Sequence, residues 1–154
     1  MKTRTILASL AVFFAGIALA FASDMTSMMG TWKLDEAKSK FSPGATKNHT
    51  VVYSPAADGM VKVTVDGVNK DGKAEHNEWV GKFDGKDYPV TGEASYSSRS
   101  YIPSGKHSLS MTIKKDGKVV ATGKVTVSPD GKSRTVVTKG DDPSMDNTAY
   151  YTKQ

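Results

Sequence analysis

Five of the chain's six Asp-Gly pairs, at 58–59, 71–72, 84–85, 116–117 and 130–131, cut the chain into short legs. Asp-Gly suits a tight β-turn, because glycine takes positive φ without steric cost and aspartate tolerates it. The steps from 58 to 71 to 84, and again from 116 to 130, are nearly even. That spacing fits about ten residues of strand followed by a short turn, the rhythm of an antiparallel up-and-down sheet.

Between the turns the side chains alternate. Val61, Val63 and Val65 are apolar while Lys62, Thr64 and Asp66 are polar, and Trp79, Gly81 and Phe83 continue the pattern after the next turn. Leu109, Met111 and Ile113 alternate with Ser108, Ser110, Thr112 and Lys114. The partner leg across Asp116-Gly117 carries Val119, Ala121, Gly123, Val125 and Val127 on one parity. A period of two is the mark of a strand with one buried face. Further legs are predicted over 132–139 and 147–152. Nine or ten strands result, with no helix long enough to cover a sheet face. A one-layer meander must hide both its apolar face and its edges, and closing into a barrel does both. The expected fold is therefore all-β: an antiparallel up-and-down meander closed into a barrel of 8–10 strands. A two-sheet sandwich is the competing arrangement, but Greek-key crossings need longer connections than these hairpins supply. Ahead of the first strand, 24–29 reads as a single helical turn that caps one end, offering Met25, Met28 and Met29 at i, i+3 and i+4.

Residues 1–22 are read as a leader rather than as fold. Lys2 and Arg4 precede an apolar run from Ile6 that ends in Ala20-Phe21-Ala22, the pattern of a secretory signal peptide cut before Ser23. An uncleaved anchor is the alternative, although a run of about 17 residues is near the lower limit for crossing a bilayer. Removing 1–22 takes away two basic side chains and no acidic one, so the net charge falls from +5 to +3. The domain is thus 23–154, one core's worth of chain, with no membrane span after cleavage. Its lysines are scattered through turns beside aspartates, so nucleic acid is not an expected partner. The sequence has no cysteine, which removes disulfides, thiolate chemistry and cysteine-ligated metal. A periplasmic or secreted bacterial monomer is the expectation.

The triplet Gly30-Thr31-Trp32 opens the first strand directly after the short N-terminal turn. It resembles the Gly-x-Trp signature of lipocalins and their calycin relatives. The segments Gly-Thr-Trp-Lys-Leu-Asp-Glu-Ala-Lys-Ser-Lys-Phe-Ser-Pro-Gly at 30–44 and Tyr-Pro-Val-Thr-Gly at 88–92 are similar to small exported bacterial lipocalin-like proteins. The resemblance covers most of 23–154. It implies that Trp32 closes one end of the barrel and packs beneath a basic side chain from a late strand. Gly30, Trp32 and Arg134 form that implied closure.

Little in the chain points to catalysis. His49, His76 and His107 lie on separate segments with no His-x-x-x-His pair. His76 and Glu78 share a strand face, the start of a metal site at most, and alternating polar residues are ordinarily a solvent face. No Gly-x-Ser-x-Gly elbow occurs, and the serines of 95–100 have no neighbouring base. Many of the aspartates sit in Asp-Gly or Asp-Pro turns. The expectation is a non-enzyme with no cofactor and no metal.

Binding suits the geometry better, since a barrel of this size need not fill its interior. A small hydrophobic or amphipathic molecule is the expected partner. The candidate lining residues are Trp79, Phe83, Tyr96 and Tyr101, with Met111 as an adaptable wall and Arg99 as anchor for a carboxylate head group. Each has a plain counterpart: core packing for the aromatics, an outward charge for Arg99. The alternative function is a closed structural or interaction module of the bacterial envelope with no small-molecule ligand. Small residues such as Ala121 and Gly123 leave room for a ligand or let opposite walls approach, and sequence supports both.

Overall fold

The computed structural model describes residues 24–154; the leader expected over 1–22 lies outside the described residues. Eleven strands follow a 3-10 turn at Asp24–Met28: β1 (Gly30–Leu34), β2 (Lys40–Phe41), β3 (Lys47–Pro55), β4 (Val61–Val68), β5 (Ala74–Gly81), β6 (Tyr88–Thr91), β7 (Ser98–Gly105), β8 (Ser108–Lys115), β9 (Lys118–Val127), β10 (Ser133–Gly140) and β11 (Asn147–Lys153). From β3 to β11 each strand pairs antiparallel with the next, β1 pairs with β3, and β1 also pairs with β11. That last seam, with Trp32 opposite Lys153 and Leu34 opposite Tyr151, closes a ten-stranded barrel. The two-residue β2 adds to the far end of β11 through Asn147 and Thr148. The sandwich is thereby excluded, and the up-and-down meander is the fold.

Alternation decides which way the wall faces. Val61, Val63 and Val65 on β4, and Leu109, Met111 and Ile113 on β8, are buried, while the residues between them are partly exposed. On β9 the parity breaks. Ala121, Val125 and Val127 are buried, but Val119 is 43 % exposed and Val120 packs against the core instead. The register shifts between Ile113 and Lys114, whose partners are Ala121 and Val119. This bulge inserts Val120 and turns the strand end over, because one extra residue swaps the two faces.

A second bulge, at His49 on β3, lies opposite Gly67. A Cβ at Gly67 would sit 2.2 Å from the Lys47 carbonyl oxygen. That oxygen belongs to the ladder and cannot yield, so Gly67→Ala is expected to cost about 2 kcal/mol, read as a lower midpoint in urea unfolding.

Antiparallel winding sorts the loops to two ends. The hairpins after β3, β5, β7 and β9 gather at the end where the 3-10 turn sits, called the plugged end below. The 35–46 crossing and the loops after β4, β6, β8 and β10 gather at the other, the mouth. Met28 and Trp32 are fully buried, and the Trp32 indole donates through Nε1 to the Met28 carbonyl at 2.9 Å, tying the turn into the barrel floor.

Candidate binding site

Inward-facing side chains from β3, β4, β7, β8, β9, β10 and β11 enclose a cavity of about 300 Å³. The mouth loops complete it, with Gly44 and Thr46 from the 35–46 crossing, Glu93 and Ser95 after β6, and Asp142 and Ser144 after β10. The wall is apolar in patches, chiefly Val51, Val65, Ile113 and Val136, but two guanidinium groups and four tyrosines stand among them.

Arg99 is buried on β7, flanked by Ser100 and Tyr101, which are buried as well. Three consecutive buried residues cannot all face inward from a regular strand, so the wall at Ser100 is covered from outside rather than open. The Arg99 Nη2 donates to the Tyr96 hydroxyl at 2.7 Å and to Asn77 Oδ1 at 3.3 Å, and Nη1 donates to the Tyr101 hydroxyl at 3.2 Å. Its guanidinium also lies 5.4 Å from the Tyr96 ring centroid and 6.0 Å from that of Tyr101. Nε has no partner.

Arg134, on β10, is 2 % exposed. It sits among three aromatic faces: Tyr151 at 4.7 Å, Trp32 at 4.9 Å and Tyr53 at 5.0 Å. Rings offer their negative quadrupole faces to a cation, which favours this packing. They offer no lone pair to an N–H, and both Nε and Nη1 of Arg134 are buried without a hydrogen bond. Lys153 Nζ lies 5.2 Å from the Trp32 ring as well. Gly30 has φ +113, and a Cβ there would meet the Lys153 Cε at 2.8 Å. The flexible end of Lys153 could swing aside, so it is the positive φ that requires glycine here.

Among the described residues, the buried charged side chains are Arg99 and Arg134, and no aspartate or glutamate is buried. Protonated phenols surround them. Burial pushes the Tyr53 hydroxyl well above the ordinary phenol range, Tyr101 adds to the rise, and the Arg134 and Arg99 charges oppose it. Burial likewise lifts Tyr151 to about 12 against the pull of Arg134.

Tyr96, Arg99, Tyr101 and Met111, four of the residues singled out from sequence, line this cavity. Trp79 and Phe83 do not. They stack on each other at 6.2 Å, with Tyr88 and Tyr101 edge-on to Trp79 at 5.7 and 5.0 Å. The Trp79 Nε1 donates to the Arg99 carbonyl at 2.8 Å. The pair is spent on an aromatic knot between β5 and β7. Phe83 follows the end of β5 and faces a shallow apolar depression at the plugged end with Met25, Met29 and Pro103. Tyr53, Val51 and Asn77 are not among the sequence candidates. The signal for Tyr53 is present, since Val51 and Tyr53 alternate with Thr50, Val52 and Ser54.

The remaining polar pairs are on the outside. His76 Nδ1 lies 2.7 Å from Asp66 Oδ1 across the β4–β5 ladder and its Nε2 3.7 Å from Glu78, all three side chains being a third or more exposed. Among the described residues no three His, Asp or Glu side chains are arranged to hold a metal ion. Neither the family models nor the curated proteins with which the sequence was compared contain a match.

Proposed function

We propose that this barrel is an exported binding protein that holds a small hydrophobic or amphipathic molecule in its interior, without catalysing a reaction. The observation that carries the reading is the 300 Å³ cavity, set between a floor sealed by Trp32 and Met28 and a mouth formed by polar loops. Small-molecule sites are concave, largely apolar and fixed by a few polar groups, with volumes of roughly 300–1,000 Å³. At ~30 Å³ per water, this cavity has room for about ten waters, or a ligand of about 10–15 non-hydrogen atoms. A closed interaction module has no use for such a space, and close-packed interiors rarely leave one.

Native mass spectrometry on protein purified from its producing cells tests this. A stoichiometric added mass of roughly one to two hundred daltons, on the order of what the cavity admits, is the expected result. Bare polypeptide, unchanged after exposure to fatty acids and isoprenoids, would favour the closed envelope module. The exported, monomeric state belongs to the same proposal and is read in the same spectrum from the mass of a chain beginning at Ser23.

A further inference from the structure

Methionine is concentrated at the plugged end. Of the six methionines among the described residues, Met25, Met28, Met29 and Met60 lie there, while Met111 and Met145 stand elsewhere. The pairing of β1 with β3 explains the gathering. Gly30 lies opposite Tyr53 in an antiparallel ladder, so the residues just before Gly30 run beside those just after Tyr53. The 3-10 turn is thereby laid against the β3–β4 hairpin. Met25 and Met29 from the turn and Met60 from the hairpin line one shallow depression, completed by Phe83 and Pro103. Backbone hydrogen bonds fix both elements: the Met29 amide donates to the Thr26 carbonyl at 3.1 Å, and the Ala56 amide donates to the Met60 carbonyl at 2.9 Å.

A methionine that only fills a gap in the core is enclosed, as Met28 is. Met29 and Met60 are partly exposed, and the depression they line carries no charged side chain; its one polar side chain is that of Thr26. Hard divalent cations take carboxylate and carbonyl oxygen, and zinc takes thiolate, imidazole or carboxylate. Neither donor set is present. Thioether sulfur is soft and uncharged, and suits Cu(I). With a filled d shell and a single charge, Cu(I) imposes no strict geometry, accepts two or three such ligands, and needs little counter-charge from the protein. We infer that the plugged end holds a Cu(I) site whose ligands are the sulfurs of Met25, Met29 and Met60. Phe83, Pro55 and Pro103 keep its surroundings apolar. The site shares no lining residue with the barrel cavity, so it stands independently of the cavity-binding reading. A bound ion clamps the turn to the hairpin and stabilises the fold, since the unfolded chain does not hold the three sulfurs together.

Ag(I), a redox-stable ion of the same charge and softness, is the first probe. In protein isotope-labelled at the methionine methyls, silver nitrate is expected to shift the nuclear magnetic resonance signals of Met25, Met29 and Met60, saturating at one ion per chain. The signals of Met111 and Met145 should stay in place. Cu(I), held reduced by ascorbate under nitrogen, is then titrated against the chromogenic chelator bicinchoninate. One ion per chain is the expected uptake, with a raised thermal midpoint, and Zn(II) is not expected to compete. Met29→Leu and Met60→Leu remove sulfur while keeping bulk and apolarity, a swap that cores tolerate well. Each is expected to weaken Cu(I) binding at least tenfold, and the double variant to lose it. The methyl shifts are read on the unaltered protein, so the test stands even where a variant misfolds. Absence of any shift, shifts spread over all six methionines, or Cu(I) held as tightly by a folded double variant would overturn the site and leave the depression as plain apolar surface.

Discussion

Trp32→Ala is expected to lower the unfolding free energy by about 3–5 kcal/mol, the usual cost of emptying a fully buried indole site. The loss should run high because one side chain performs three jobs. Its ring fills the floor, its Nε1 holds the Met28 carbonyl at 2.9 Å, and its faces carry Arg134 at 4.9 Å and Lys153 at 5.2 Å. Without the ring, a buried guanidinium loses one of the three surfaces that make its burial tolerable. Urea unfolding followed by far-ultraviolet circular dichroism measures the change independently of tryptophan emission. Trp32→Phe separates the contributions, since it keeps an aromatic face and drops the hydrogen bond, for a cost of about 1 kcal/mol for the bond itself beyond the smaller ring. An alanine variant within about 1 kcal/mol of the parent would mean that the floor is held by the strand ladder alone.

Alkaline unfolding should be steep. The Tyr151 hydroxyl titrates at about 12 in the fold against 10 for an ordinary phenol, because burial disfavours its charged form, and Tyr53 is raised for the same first reason. A group whose pKa is higher folded than unfolded contributes stability that is complete below the unfolded value. That stability is lost as pH climbs through the folded value, since the unfolded chain releases its proton first. Each phenol then removes up to ~1.4 kcal/mol per pH unit between the two values. For Tyr53 and Tyr151 together the loss is about 3 kcal/mol between pH 10 and 11.5. Urea midpoints across that window measure it. The double variant Tyr53→Phe/Tyr151→Phe should have a flatter profile there, and an unchanged slope would show that other groups govern the alkaline limit.

Much of the architecture is readable because its signals are local. Period-two alternation reports strand and facing at once, which is why β4 and β8 match residue by residue, and why even turn spacing implies a meander that has to close. The misread positions share a different cause. Simple parity places Val119 inward, but a bulge is an insertion in the partner register and leaves no mark in the strand's own composition. Phe83 shares the parity of Trp79, yet the strand ends at Gly81, and parity means nothing past a strand's end. The site is only partly legible. Arg99 and Tyr101 stand out as a charge and an aromatic two apart in a polar run. That Arg134 shares their cavity depends on two strands meeting across the barrel, a distance no local pattern encodes. The strap at 40–41 depends on pairing with Asn147 and Thr148, at the opposite end of the chain.

The seam that closes the barrel also decides where its first strand begins and its last strand ends. Trp32 lies opposite Lys153, and the Gln154 amide donates to the Thr31 carbonyl at 3.0 Å, so the first and last strands run side by side with both outer ends at the plugged floor. Domains with adjacent termini tolerate fusion and circular permutation well. A surface tether, purification handle or second domain joined at either end would hold the molecule like a cup by its base. The mouth would face outward, free to fill and empty, while the attachment pulled only on the one junction the barrel keeps shut.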